Sequence, residues 1–210
     1  MKENEEVFED IYVNRKWGFG PRSGGGSSLN QTRVLAERLP ELVYSLDLEK
    51  ILDCGCGDWT WMKNVDLKGA KYTGLDVSPS AIADLQAKFP DRKFKVADIC
   101  RDKLPKADLA LCRDVLVHLP FDNIWDFISN LKSSKIRYLA TTAFPSRTLN
   151  RDCETGDWRP INYEIAPFNF PLPFLTINER LEAHGGHYRD KSTCIWHVDS
   201  LPSRPLTFET

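Results

Sequence analysis

The sequence predicts an α/β protein built on a mostly parallel sheet with helices on both faces. Three observations predict it. Short segments that read as strands recur at residues 50–54, 72–76, 93–97, 108–112 and 137–143. Capped helical stripes lie between several of them. A glycine turn, Cys54-Gly55-Cys56-Gly57, follows the first run directly. In such sheets ligands bind beyond the carboxyl ends of the strands, near the point where strand order reverses. That turn is therefore the first place to look for a site.

The chain has 210 residues, 41% of them hydrophobic, with 28 Lys plus Arg against 30 Asp plus Glu for a net charge of −2. This is enough chain to bury one core. We expect a single domain over 1–210: an entrance or lid segment 1–48, a cofactor-binding core 49–143, and a substrate-capping loop with closing strands 144–210. The near-neutral charge argues against a protein held on nucleic acid by bulk charge. No apolar run approaches the roughly 18 residues of a membrane span. The acidic start, MKENEEVFEDIY, lacks the pattern of a signal peptide, and six scattered cysteines suit a reducing compartment. The expectation is a cytoplasmic protein, monomer or homodimer, with neither membrane nor nucleic acid as partner.

Taken in order, Val7, Phe8, Ile11 and Tyr12 mark an amphipathic opening stretch. Trp17 to Ser28 holds five of the 12 glycines and is mobile unless something pins it. Ser28 with Gln31 reads as a capping box opening a helix through about Leu39. Ser78 caps a second helix with Pro79 at its first position and Ile82, Leu85 and Phe89 on one face. Phe121, Ile124, Trp125, Ile128 and Leu131 form another helical stripe. The alternation stops after residue 144. Residues 145–173 combine Pro160, Pro167, Pro171 and Pro173 with Trp158, Tyr163, Phe168 and Phe170, and that aromatic content argues against disorder. Phe174–Ile177 and Thr193–Val198 read as closing strands, an antiparallel pair.

The chemistry concentrates in Ile51-Leu52-Asp53-Cys54-Gly55-Cys56-Gly57. A dinucleotide turn, G-x-G-x-x-G, requires a glycine where this chain has Thr60. Asp53, two residues before Gly55, would repel a pyrophosphate and suits a cationic ligand. This pattern resembles the first motif of the class I S-adenosylmethionine-dependent methyltransferases, an acid followed by x-G-x-G. The position of a further family glycine holds Trp59. The second family element, an acid ending the second strand, matches Asp76, and the third, an acid after the third strand, matches Asp98. Leu111 to Pro120 is similar to the segment that passes the methionine end of the cofactor.

The resemblance implies a Rossmann-like fold with a mostly parallel seven-stranded sheet and an antiparallel closing strand. It implies S-adenosylmethionine as cofactor, S-adenosylhomocysteine as product, and a cofactor site at Asp53, Gly55, Cys56, Gly57, Asp76, Val77, Asp98, Ile99 and Arg113. Asp76 would hold the ribose hydroxyls, Asp98 the adenine amino group, and Ile99 an apolar wall. The flanks resemble a branch with a Ser/Gly-rich entrance and a Gly156-Asp157-Trp158-Arg159-Pro160 segment. By analogy Ser27, Ser28 and Arg22 would fold over the cofactor's carboxylate.

His118 follows the fourth strand, where substrate should approach, and its pKa range suits a general base. The competing reading is a histidine packing the next helix. Asp114 is either a cofactor or substrate contact or one half of an ion pair. Trp158, Arg159 and Asn162 either build an acceptor pocket, with Arg159 favouring an anionic group, or cap the sheet edge structurally. Trp17 either stacks over a ligand or is an ordinary buried aromatic. Cys54, Cys56 and His118 lack metal-ligand spacing, so no metal is expected. His184 and His187 read as a surface turn. The function these readings support is methyl transfer to oxygen or nitrogen of a small-molecule acceptor, plausibly in biosynthetic tailoring. The alternatives are an RNA or peptide methyltransferase, a nicotinamide-dependent oxidoreductase, or a non-catalytic nucleotide-binding module.

Overall fold

A computed structural model describes residues 2–180 and 187–205. The seven strands are β1 (Lys50–Cys54), β2 (Lys71–Asp76), β3 (Phe94–Val96), β4 (Leu109–Cys112), β5 (Tyr138–Ala143), β6 (Leu175–Asn178) and β7 (Ser192–His197). They form one sheet in the order β3-β2-β1-β4-β5-β7-β6. The first five are parallel, and β7 runs antiparallel between β5 and β6. β1 pairs with β2 on one side and β4 on the other. The order therefore reverses at β1, where a crevice opens at the carboxyl ends.

Among the described residues, four α-helices flank the sheet: α1 (Lys2–Asn14), α2 (Leu29–Ser45), α3 (Pro79–Lys88) and α4 (Phe121–Ser133). α3 starts as expected, with Ser78 Oγ accepting from Ala81 N at 3.1 Å. α2 departs from expectation twice. Ser28 makes no side-chain cap bond, and the helix continues through Pro40 to Ser45. A proline inside a helix costs about 3 kcal/mol. Leu39, Leu42 and Val43 are all buried on the same helix, and each contributes roughly 1.5–3 kcal/mol, so burial wins. No helix among the described residues is long and apolar enough to cross a membrane.

The core lies on both faces of the sheet. α2, α3, Trp59, Trp61 and Met62 pack on one face. α4 packs on the other with Ile161, Tyr163, Phe168, Phe170 and Trp196. The aromatic half of segment 145–173 is therefore core: Tyr163 stacks on Phe170 at 5.3 Å, and Phe168 meets Trp125 at 5.4 Å. α1 crosses the carboxyl ends of the strands. Glu9 accepts from Ser78 Oγ (2.6 Å), Ser80 N (3.2 Å) and Ser80 Oγ at the start of α3, and Tyr12 donates to Asp84 on the same helix.

Candidate active site

A crevice sits where the β1 and β2 ends, the β4 end, α1 and the entrance loop converge. Its floor is the glycine turn. Gly55 and Cys56 both donate to Leu75 O at 2.8 Å, tying the turn to β2. Gly55 and Gly57 hold φ values of 86° and 54°. A Cβ on Gly55 would fall 2.3 Å from Val115 Cγ2, and one on Gly57 would fall 2.4 Å from Ser23 Cβ. Glycine is needed here because the β4 loop and the entrance loop both press on the turn.

Asp76 and Asp98 line the crevice, with Val77 and Ile99 as apolar wall. The Asp76 carboxylate accepts from Gly57 N (2.9 Å) and Ser78 N (3.0 Å). Burial raises its pKa, against the lowering by those backbone donors. Asp98 accepts from Cys100 N at 2.9 Å and from the Asn4 side chain at 3.2 Å.

Asp53 is placed differently from expectation. It is 5% exposed, lies behind the turn rather than among the lining residues, and accepts the Tyr72 hydroxyl at 2.6 Å. Burial pushes its pKa up to about 7, offset in part by the Tyr72 hydrogen bond. Cys56 contributes its backbone alone: its thiol is buried, with Sγ packed close to Gly74. Ser28 starts α2 through its carbonyl, which accepts from Thr32 Oγ1 at 3.0 Å, and it is not on the wall; Arg22, Ser23 and Ser27 are. Asp58 pins this loop through Arg22 N (2.7 Å) and Ser23 Oγ (2.8 Å).

The β4 end supplies Arg113, Asp114 and His118. Arg113 donates to Gly26 O (2.9 Å) and Glu179 Oε2 (2.6 Å), and meets Asp114 at 2.9 Å. Lys191 Nζ reaches Asp114 at 2.6 Å. Against the cost of burial, Arg113 and Lys191 hold Asp114 well below the usual carboxylate range. Asp114 is thus an ion-paired residue that also lines the crevice. His118 Nδ1 lies 2.7 Å from Asp157 O, a carbonyl that can only accept, so Nδ1 carries the proton. Trp17 stacks on the ring at 4.6 Å. Burial lowers the His118 pKa, opposed by the Asp157 carbonyl and the Asp114 charge. The ring is neutral near pH 7, and Nε2 is its basic nitrogen.

The expected acceptor wall at residues 158–162 is not in the crevice. Arg159, 7% exposed, gives its guanidinium to Leu116 O (2.7 Å), Leu119 O and Arg151 O (3.3 Å). Its side-chain donors are spent on backbone carbonyls rather than held out to an anionic acceptor. Asn162 spends its amide on Pro145 O and Arg147 O. Trp158 packs on Phe144 and Tyr188 outside the lining residues. His187 is exposed, and His184 lies outside the described residues. Missed at the sequence level were Asn4, Phe8, Ile11 and Tyr12, which line the crevice from α1. The apolar stripe on α1 was visible, but what it covers was not. Glu179 and Lys191, the charges beneath Arg113 and Asp114, carried no local signal.

Residues 52–134 match the family described as a methyltransferase domain. A ubiquinone biosynthesis O-methyltransferase of Alkalilimnicola ehrlichii is 27% identical over 127 residues, 57% of this chain and 51% of the relative. The chain thus spans about half the length of that curated relative. Among solved structures, the DhpI-SAH complex has a TM-score of 0.53 at 16% identity, covering 77% of this chain and 82% of the other. Human N-acetylserotonin methyltransferase in complex with SAM has a TM-score of 0.51 at 14% identity, covering 77% and 48%. These two likenesses establish the fold. The matched methyltransferase domain spans the chain from the motif strand to the end of α4.

Proposed function

We propose that this protein transfers a methyl group from S-adenosylmethionine to a hydroxyl of a small molecule. One observation carries the reading: a single crevice brings Asp76 and Asp98 at one end together with the neutral imidazole of His118 at the other. The crevice fits the cofactor chemically. Both oxygens of Asp76 are anchored by backbone N–H groups, which aims a buried carboxylate at ribose hydroxyls. Asp98 with Ile99 and Ala97 suits an adenine edge and face. Arg113 and the entrance-loop residues Arg22, Ser23 and Ser27 face the amino-acid end.

When bound, the cofactor supplies an electrophilic methyl carbon on a sulfonium. The protein's own work is placement, proton removal and exclusion of water. Holding the acceptor in line is worth about 7–11 kcal/mol. With Asp76 and Asp98 holding the cofactor that would supply the methyl group, His118 Nε2 would take the proton of the acceptor hydroxyl. A base of this kind contributes about 10²–10⁴-fold. α1 and the entrance loop roof the crevice and keep water out.

A small acceptor is supported by the relative named for O-methylation in ubiquinone biosynthesis. Trp17, stacked on His118, is the residue an acceptor would meet first. Calorimetry with S-adenosylmethionine, S-adenosylhomocysteine and NAD tests the cofactor, and binding of NAD alone would reverse the assignment. A panel of phenols, amines, short RNAs and peptides, scored by S-adenosylhomocysteine release, tests the acceptor. His118→Ala should lower turnover on the best acceptor by at least about 10²-fold with cofactor affinity unchanged. Equal loss of both would make His118 structural.

A further inference from the structure

We infer that the Gly156–Arg159 segment is a clamp that decides which nitrogen of His118 is basic, an inference that rests on His118 serving as the base. The segment grips the turn Leu116–His118 at every residue. Gly156 N donates to His118 O at 2.9 Å, and Arg159 N donates to Val117 O at 3.1 Å. Arg159 Nη1 donates to Leu116 O at 2.7 Å, and Nη2 reaches Leu119 O. With backbone and ring both held, the Asp157 carbonyl meets Nδ1 at 2.7 Å.

Two features set this apart from ordinary loop packing. Arg159 is buried without a carboxylate within ion-pair distance among the described residues. Its donors all go to backbone carbonyls, three of its four contacts falling on the His118 turn. Burying a guanidinium this way is costly, and its effect is geometric: it fixes the strand-to-helix turn that carries the ring. Gly156 holds φ 92°, and a Cβ there would meet Val7 Cγ1 at 2.8 Å and Ile11 Cδ1 at 3.1 Å. Glycine lets α1, the roof of the crevice, close directly onto the clamp. A free imidazole populates both tautomers. One buried hydrogen bond to a carbonyl biases that choice by roughly five- to tenfold. The bias puts the lone pair on Nε2, where a proton from an acceptor can be taken. Arg159 and Gly156 are positioning residues, and neither touches the reacting atoms.

The tautomer is readable directly. The chain has 4 histidines, so histidine-selective ¹⁵N labelling with S-adenosylhomocysteine bound gives few signals, and those of His118 are assigned by their loss in His118→Gln. Long-range ¹H–¹⁵N correlation should show the Nδ1–H form dominant. Arg159→Gln should bring the two tautomers to near parity while S-adenosylhomocysteine affinity stays within about twofold, and Arg159→Lys should fall between. If the Gln variant does not fold, the Lys variant decides. An Nε2–H ring in the unmodified protein, or an unchanged tautomer ratio in the Arg159 variants, overturns the clamp. Turnover retained in His118→Gln would instead remove the base reading and leave the tautomer result standing.

Discussion

Asp53 gives the sharpest quantitative test. Its carboxyl is buried against Tyr72, with Asp76 nearby and Arg113 as partial compensation, and its pKa rises from 3.8 to about 7. The fold therefore favours the protonated form. Stability from this residue is fully present below about pH 4 and declines as pH rises through 7. At about 1.4 kcal/mol per pK unit, the loss reaches roughly 4 kcal/mol at pH 8, of which some 2–3 accrues between pH 5 and pH 8. That is a large share of the 5–15 kcal/mol typical of a domain. Asp114, held low by Arg113 and Lys191, acts in the opposite sense but only at much lower pH. Asp53→Asn preserves an acceptor for the Tyr72 hydroxyl and cannot ionise. Urea unfolding followed by tryptophan fluorescence should show wild type losing roughly 2–3 kcal/mol more than the variant between pH 5 and pH 8. Parallel pH profiles would refute the buried-acid reasoning.

Three further outcomes follow from the same contacts. Asp76→Asn should weaken S-adenosylmethionine and S-adenosylhomocysteine binding alike, by about tenfold or more in calorimetry, since the ribose is common to both. Asp58→Ala removes two anchors of the entrance loop, so amide exchange over residues 22–27 should speed by roughly ten- to a hundredfold with the sheet unaffected. Glu179→Gln leaves Arg113 short of its fully buried partner and should cost roughly 3–5 kcal/mol in urea unfolding.

The parallel sheet, the glycine turn and the acids at its rim were legible because each is local. A short strand, Lys50-Ile51-Leu52-Asp53-Cys54, running into Gly55 is readable from the chain alone, and so is Ser78 with Pro79 starting a helix. Side-chain direction was not legible. Asp53 belongs to the motif yet turns away to Tyr72, because strand residues alternate faces and β2 brings a hydroxyl to the buried one. Arg159 and Asn162 carry the functional groups of a binding pocket, yet both are spent on backbone carbonyls that only the folded chain brings near. α2 ran past Pro40 because tertiary burial outweighed local propensity.

Trp59 shows how the motif tolerates a departure from its pattern. At this position the family the motif resembles carries a glycine, and the backbone of Trp59 takes the left-handed path a glycine would take, with φ 55°. For a bulky residue that conformation costs about 1–3 kcal/mol. The indole is buried and packs edge-on against Phe89 at 4.8 Å and Phe94 at 5.2 Å, and tilted against Tyr72 at 5.6 Å. Burying 150–250 Å² of aromatic surface at about 25 cal/mol per Å² returns roughly 4–6 kcal/mol, so the strained path is stable. The same contacts set Tyr72 against Asp53. The substitution that breaks the glycine pattern therefore also holds the hydroxyl that keeps the motif's acid buried and close to neutral, which ties the pH response of Asp53 to an aromatic cluster on the far side of the sheet from α4.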